Sequence, residues 1–144
     1  MKPARIEMQS AAMALIRREG EKAFPNECCG FLLGCVDQGV TRVEKAMPAA
    51  NEDTAGAAHR YAIASPAYRA CEKAGRAAGL DIVGFYHSHP GSPATPSAFD
   101  TEGGWPWYAY VISSVHDRRT SDVTGWRLRE DRARFEPLDL RGAL

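Results

Sequence analysis

The sequence predicts a single α/β domain over residues 1–144, with helices flanking a mixed β-sheet. Short apolar runs typical of buried strands alternate with segments whose apolar residues recur at helical spacing. Their order is helix, hairpin, strand, helix, strand, a loop with a short helix, and further strands, which is the pattern of a mixed sheet with helices. A chain of 144 residues suits one domain whose core needs no disulfides.

In the first part of the chain, residues 8–18 form a predicted helix that ends at Gly20. Residues 28–36 are strongly apolar and predict a buried strand. A turn at Asp37-Gln38-Gly39 joins it to a partner strand over residues 40–46, which makes a hairpin. Residues 48–58 are small and polar, and they indicate a loop.

In the middle of the chain, residues 60–63 predict a short strand. Ser65 and Pro66 are typical of a helix start, and Gly79 ends that helix near residue 78. Small residues form its apolar stripe, so we expect close packing against a sheet. Residues 81–89 then form the next predicted strand.

The last part of the chain carries three more predicted strands, over residues 107–113, 122–128 and 134–138. Three tryptophans lie in or before these strands: Trp105, Trp107 and Trp126. We expect all three in the core, because large aromatic residues are usually buried there. A substrate-facing position is the alternative for Trp105, since it follows the motif described next.

Composition narrows the possible partners. Lysine plus arginine equals aspartate plus glutamate, 18 each, which gives no electrostatic basis for binding nucleic acid or an anionic membrane. No apolar stretch has the length of a membrane span, and polar residues interrupt any signal peptide.

Four cysteines without a Cys-x-x-Cys pair predict reduced thiols in a cytoplasmic protein. Cys29 and Cys35 are expected in the core, and a thiol near a metal is the alternative for Cys28.

The segment from His87 to Asp100 contains the candidate metal ligands. His87 and His89 are two residues apart on a predicted strand, so their imidazoles project from the same face. Catalytic zinc uses three protein ligands and keeps one position open, and Asp100 supplies a third ligand after a tight loop. Ser97-Ala98-Phe99-Asp100 is also a capping box, which predicts a short helix that aims Asp100 back at the strand end. Glu27, far upstream, is the candidate base. His59 and His116 lack partners at ligand spacing and are expected at the surface.

These residues resemble the JAMM (MPN-plus) metalloproteases, whose pattern is a distant Glu, then His-x-His-Pro, six residues and Ser-x-x-Asp. Every motif position is filled, and the resemblance extends from about Pro25 to the last strands. It implies one Zn²⁺ per chain, with a bound water, held by His87, His89 and Asp100. It makes Glu27 the general base and Ser97 the support of the oxyanion or of the metal-bound water. The implied fold is a central helix packed in a curved sheet, in a cytidine-deaminase-like arrangement.

Other His-x-His families fit poorly. Metallo-β-lactamases need an Asp-His and cupins a Glu shortly after the pair, and neither is present. An amidohydrolase barrel needs roughly 250 residues, and zinc deaminases need His-x-Glu with a Cys-x-x-Cys.

The resemblance also implies a reaction and a partner. The reaction is zinc-dependent hydrolysis of a peptide or isopeptide bond. The chain resembles small stand-alone prokaryotic members, because the places of the eukaryotic insertions are short. Such members cut after the C-terminal Gly-Gly of a ubiquitin-fold sulfur-carrier protein. The loop at residues 91–93 and the Trp105 turn are the expected groove walls. A deubiquitinase-like isopeptidase acting on conjugates and a non-catalytic MPN scaffold are the alternatives.

Overall fold

The computed structural model describes residues 5–142. These residues form seven strands and three helices, which we number in chain order. The elements are β1 (Arg5–Met8), α1 (Ser10–Ala23), β2 (Cys29–Asp37), β3 (Val40–Ala49), α2 (Ser65–Ala77), β4 (Asp81–Pro90), α3 (Ala98–Gly103), β5 (Ala109–His116), β6 (Arg119–Leu128) and β7 (Phe135–Gly142). Within this range, no helix is both long and apolar enough to cross a membrane.

The strands form one curved sheet that closes on itself in the order β1-β3-β2-β4-β5-β6-β7. The sheet is mixed, because β1 is parallel to both β3 and β7, β4 is parallel to β5, and the other pairs are antiparallel. One apolar cluster joins α1 to one face of the sheet, through residues such as Ile16, Leu32 and Tyr86. A second cluster lies on the other face, where Phe31, Phe85 and Cys71 of α2 meet. The predicted α/β fold with a mixed curved sheet is confirmed.

Two elements near the N-terminus differ from the sequence prediction. Strand β1 was not predicted, although Ile6 and Met8 are fully buried. Helix α1 starts later than predicted and continues past Gly20, which was expected to end it. Gly20 is buried, and a Cβ there would lie 3.1 Å from Cγ2 of Val115. The glycine therefore allows close packing of α1 against β5 and does not end the helix.

The strand predicted over residues 60–63 is wrong. Asn51 occupies the place of a partner strand: its amide nitrogen donates to the carbonyl of Arg60 (2.9 Å), and its side-chain oxygen accepts from the backbone N–H of Ala62 (3.1 Å). Because a side chain satisfies these backbone groups, the segment needs no β-ladder and remains an ordered loop.

Three burial predictions are also wrong. Trp105 and Trp107 are 58% and 69% exposed, whereas Trp126 packs against the second cluster as expected. Cys35 is exposed because the last three residues of β2 extend beyond the core into the hairpin. Cys29 is buried as predicted, and the four cysteines are free thiols.

Candidate metal centre

The two histidines are positioned by the alternation of β4. His87 and His89 point to one face and are buried, with exposures of 1% and 6%. Tyr86 and Ser88 point to the other face, where Tyr86 lies in the core and the hydroxyl of Ser88 accepts from the backbone N–H of Cys28 (2.8 Å). One face of the strand therefore packs against the rest of the protein, and the other face holds the two imidazoles.

The third side chain is aimed by the start of α3. The hydroxyl of Ser97 accepts from the backbone N–H of Asp100 (3.0 Å), and Oδ2 of Asp100 accepts from the N–H of Ser97 (2.9 Å). This reciprocal pair is the predicted capping box. It turns the carboxylate of Asp100 back towards the end of β4, as the sequence predicts.

Three potential ligand atoms converge at this point. Nε2 of His87, Nε2 of His89 and Oδ2 of Asp100 lie 3.1 to 3.2 Å from one another. Tetrahedral ligands about 2.0–2.1 Å from a zinc ion are separated by about 3.3 Å. The triangle therefore has the size that a metal ion requires, and this group can hold one.

The protonation states also fit a cation. Nδ1 of His89 lies 2.9 Å from the carbonyl of Pro93, to which it donates, so Nε2 is the nitrogen that faces the centre. Burial by itself lowers the pKa of His89, but its hydrogen bonds to Asp100 and Pro93 more than offset this and raise the pKa above its usual value. A positive charge, either a proton or a metal ion, is therefore favoured between Nε2 and the carboxylate oxygen of Asp100 3.2 Å away. Burial holds the pKa of His87 below its usual value. Burial by itself raises the pKa of Asp100, but the two imidazoles more than offset this and keep it well below its usual range.

Glu27 lies beside this triangle in a protected position. It is 5% exposed, and its backbone N–H donates to the carbonyl of Ala57 (2.7 Å). Its Oε1 atom is buried without a hydrogen-bond partner among residues 5–142. Burial raises the pKa of Glu27 to about 7. A cavity of about 260 Å³ is lined by Glu27 together with His89 and Ser97.

Two residues near the centre were not expected there. His59 is exposed as predicted, but it also lines the cavity that contains Glu27. The ring of Tyr61 stacks on His87, with centroids 4.6 Å apart. Neither residue has a fixed spacing to the motif that would have predicted its position. The loop after β3 brings both residues to the centre.

The alternative position for Cys28 is wrong. In the β2–β4 ladder Cys29 is opposite His87, so Cys29 shares the histidine face and Cys28 points away. Cys28 packs against the cluster around α1.

Comparison with known proteins identifies the family. Residues 9–129 match the family described as prokaryotic homologs of the JAB domain. The chain belongs to this prokaryotic JAB family. The JAMM resemblance of the motif is thereby confirmed, since JAB and JAMM name the same class of domain.

Relatives of this JAB protein agree with the assignment. The Desampylase of Haloferax volcanii is 40% identical over 108 residues, which cover 74% of this chain and 76% of that protein. A solution structure of a Salinibacter ruber protein is 40% identical, with a TM-score of 0.75, and the match covers 95% of this chain and 91% of the other. A solution structure from Desulfitobacterium hafniense is 25% identical, with a TM-score of 0.84, and covers 96% and 92%.

Proposed function

We propose that this JAB protein is a zinc-dependent peptidase or isopeptidase that cuts after the C-terminal Gly-Gly of a ubiquitin-fold carrier protein. The observation that carries the proposal is the convergence of three ligand atoms beside the unpartnered, buried carboxylate of Glu27. A triangle of three ligands leaves one coordination position open, as a catalytic site does and a closed structural site does not. A base held next to it without a structural partner is what hydrolysis needs.

His87, His89 and Asp100 would hold one zinc ion per chain. Two imidazoles and a carboxylate form a ligand set of the catalytic type, which leaves a fourth position open. When bound, zinc supplies a water whose pKa is lowered to about 7 and a Lewis acid that polarises the scissile carbonyl. The free thiols are consistent with a cytoplasmic location.

Glu27 would act as the general base and then as the acid. Its pKa of about 7 matches a group that must take a proton and give it back near neutral pH. Glu27 accepts a proton from the attacking water and delivers it to the departing amine. Since Oε1 has no hydrogen-bond partner among residues 5–142, no contact that the structure describes competes with the water for this oxygen.

Ser97 would stabilise the oxyanion. Its oxygen already accepts the backbone N–H of Asp100, and a hydroxyl that accepts one hydrogen bond still has its own proton to donate. Ser97 lines the same cavity as Glu27, so this proton is available to a carbonyl oxygen bound there. Such donors contribute strongly when charge develops in the transition state.

The Ser97→Ala variant should keep its metal, because alanine retains the backbone N–H that donates to Oδ2 of Asp100. It should lose roughly 10²–10³-fold in kcat, the usual effect of removing one oxyanion donor. Ser97→Thr is the matched control, because threonine keeps both the hydroxyl and the N-cap function. Metal content and turnover measured on the same samples test this. Near-normal turnover of the alanine variant would remove Ser97 from the mechanism.

A Gly-Gly tail suits the site because a chain without side chains lies flat against a metal. The segment at residues 91–93 contributes Ser92 and Pro93 to the cavity with Glu27, whereas Trp105 lines a different cavity. The two predicted groove walls therefore line two different cavities. The tail offers little contact area, so most binding energy would come from the folded body of the carrier.

Incubation with a carrier extended by a few residues beyond Gly-Gly tests the function. We expect product masses that correspond to cleavage directly after the second glycine. A bulky residue in place of the penultimate glycine should reduce cleavage far more than binding. Cleavage elsewhere, or equal cleavage of unfolded peptides, would indicate a general peptidase.

The second candidate is cleavage of the isopeptide bond between a ubiquitin-like modifier and a lysine of its target. The 40% identity to a protein named Desampylase favours this activity. The same centre serves both reactions, since each releases an amine from a Gly-Gly carbonyl. A lysine-linked conjugate, assayed beside the extended carrier, separates the two by their relative kcat/KM. The preserved ligand triangle argues against a scaffold without catalysis.

A further inference from the structure

The side-chain amide of Asn51 uses all of its hydrogen-bonding capacity. Its nitrogen donates to the carbonyls of Arg60 (2.9 Å) and Glu27 (3.3 Å). Its oxygen accepts from the backbone N–H groups of Asp53 (3.0 Å) and Ala62 (3.1 Å). An asparagine amide has two hydrogens to donate and two lone pairs on its oxygen, so every position is taken. Asn51 therefore joins the loop after β3 to the backbone of the candidate base.

The backbone of Glu27 depends on this loop. Glu27 lies just before β2, whose ladder pairing begins at Cys29. The N–H of Glu27 donates to the carbonyl of Ala57 (2.7 Å), and its carbonyl accepts from Asn51. Because Oε1 of Glu27 has no hydrogen-bond partner among residues 5–142, the position of this oxygen follows the backbone that carries it. Loss of the Asn51 amide would leave the base less precisely placed.

The same amide fixes the residues on both sides of Tyr61. Arg60 and Ala62 precede and follow Tyr61, and each has a backbone group bonded to Asn51. The ring of Tyr61 stacks on the imidazole of His87, with centroids 4.6 Å apart and the planes inclined by 27°. The position of this ring is therefore set by the hydrogen bonds of Asn51.

The stacked ring matters because the two imidazoles are oriented differently. Nδ1 of His89 donates to the carbonyl of Pro93, which is the usual way in which a protein orients a metal-binding histidine. Nδ1 of His87 is buried, and no residue in the described part of the chain bonds to it. Packing must therefore limit the rotation of the His87 ring, and the face of Tyr61 is part of that packing.

We propose that Asn51 is a positioning residue of the metal centre. It acts on His87 through Tyr61, and on the backbone of Glu27 directly. A metal ligand and a base act on the same water only when their relative position is fixed, and one side chain holds both here. The inference rests on the proposed function for the role of Glu27 as the base. The placement of His87 concerns any metal ion bound at the triangle.

Zinc affinity tests the route through Tyr61 without any bond being cut. Asn51→Ala and Tyr61→Leu should each weaken zinc binding roughly 10-fold, the lower end of the effect of residues that orient metal ligands. Tyr61→Phe keeps the stacked ring and should bind zinc as the wild type does. Since Asn51 acts through Tyr61, adding Asn51→Ala to Tyr61→Leu should weaken binding by no more than about twofold. Competition with a chromophoric chelator measures each affinity.

Amide hydrogen exchange in metal-free protein tests the route to Glu27. The N–H of Glu27 bonds to Ala57 and not to Asn51, so its exchange rate reports on the loop and not on the deleted bond. The rate should rise roughly fivefold in Asn51→Ala, the factor that the loss of one hydrogen bond gives. Asn26→Ala is the matched control, because Asn26 is an exposed asparagine next to Glu27.

A second variant keeps both tests decisive if Asn51→Ala does not fold. Asn51→Asp has the same size and keeps both acceptor bonds, but it cannot donate to the carbonyls of Glu27 and Arg60. It should weaken zinc binding and speed exchange at Glu27 in the same direction.

Three results would overturn the inference. These are unchanged zinc affinity in the Asn51 variants, fully additive losses of Asn51→Ala and Tyr61→Leu, or exchange at Glu27 as slow as in Asn26→Ala. Neither readout depends on turnover. A protein that shows both effects but never cuts the carrier would therefore refute the proposed function and leave the role of Asn51 in placing these residues intact.

Discussion

The Asp100→Ala variant is expected to lose its zinc and all measurable hydrolysis. Asp100 would supply one of the three proposed ligand atoms, which lie 3.1 to 3.2 Å apart, and two imidazoles alone would leave the ion half coordinated. Loss of a residue that hydrogen-bonds to a metal ligand already lowers metal affinity roughly 10–100-fold, and loss of the ligand itself lowers it more. Metal analysis of protein purified without chelator measures the effect.

Asp100 also caps α3, so a second substitution separates the two functions. Asp100→Asn keeps an oxygen that can accept the N–H of Ser97, but it removes the charge that the cation needs. It should retain the helix and still lose zinc affinity. Glu102→Ala is the matched control, since Glu102 is exposed on the same helix outside the triangle. Full zinc occupancy in Asp100→Ala would show that the ligand assignment is wrong.

Glu27→Gln should lower kcat by roughly 10²–10⁴-fold, the contribution of a general base, while zinc occupancy stays unchanged. The amide has nearly the shape of the carboxylate but accepts no proton. Glu52→Gln is the control, because Glu52 is exposed in the loop that follows β3. Turnover and metal content are measured on the same preparations. Near-normal turnover of Glu27→Gln would refute the mechanism.

The same variant has a stability signature in metal-free protein. The pKa of Glu27 is raised in the fold from 4.5 to about 7, so the folded state binds its proton more tightly than the unfolded state. The protonated Glu27 therefore contributes to the free energy of unfolding at low pH, and this contribution is lost as pH rises from about 4.5 through 7. Glutamine does not ionise, so Glu27→Gln lacks this pH-dependent loss of stability. The Tm of Glu27→Gln should therefore exceed that of wild type increasingly as pH rises through this window.

The metal triangle was predictable because its determinants are local. Alternation along β4 places His87 and His89 on one face, and the capping box at Ser97 directs Asp100. All of this information lies within residues 87–100. Glu27 is different, because its backbone N–H donates to the carbonyl of Ala57 in the distant loop after β3. No pattern near Glu27 indicates that contact, and this residue was selected by the apolar strand that follows it together with the family resemblance.

The errors arise where long-range contacts override local patterns. Arg5 to Met8 do alternate between half-buried and buried positions, but four residues next to a helical pattern gave too little signal to separate a strand. Asn51 replaces the strand partner that residues 60–63 lack. Trp107 has a left-handed backbone (φ 76°), which bulky residues adopt rarely, and composition favoured a buried tryptophan instead. These features become visible only when the chain is folded.

The position of β1 between β3 and β7 has a consequence for biosynthesis. The chain is made from its N-terminus, so β1 leaves the ribosome first and finds β3 within the next few dozen residues. Its other neighbour is the last described strand, and the ring of strands is completed only when β7 emerges. His87, His89 and Asp100 are all translated before that moment. A nascent chain therefore carries all three side chains of the triangle while its sheet is still open.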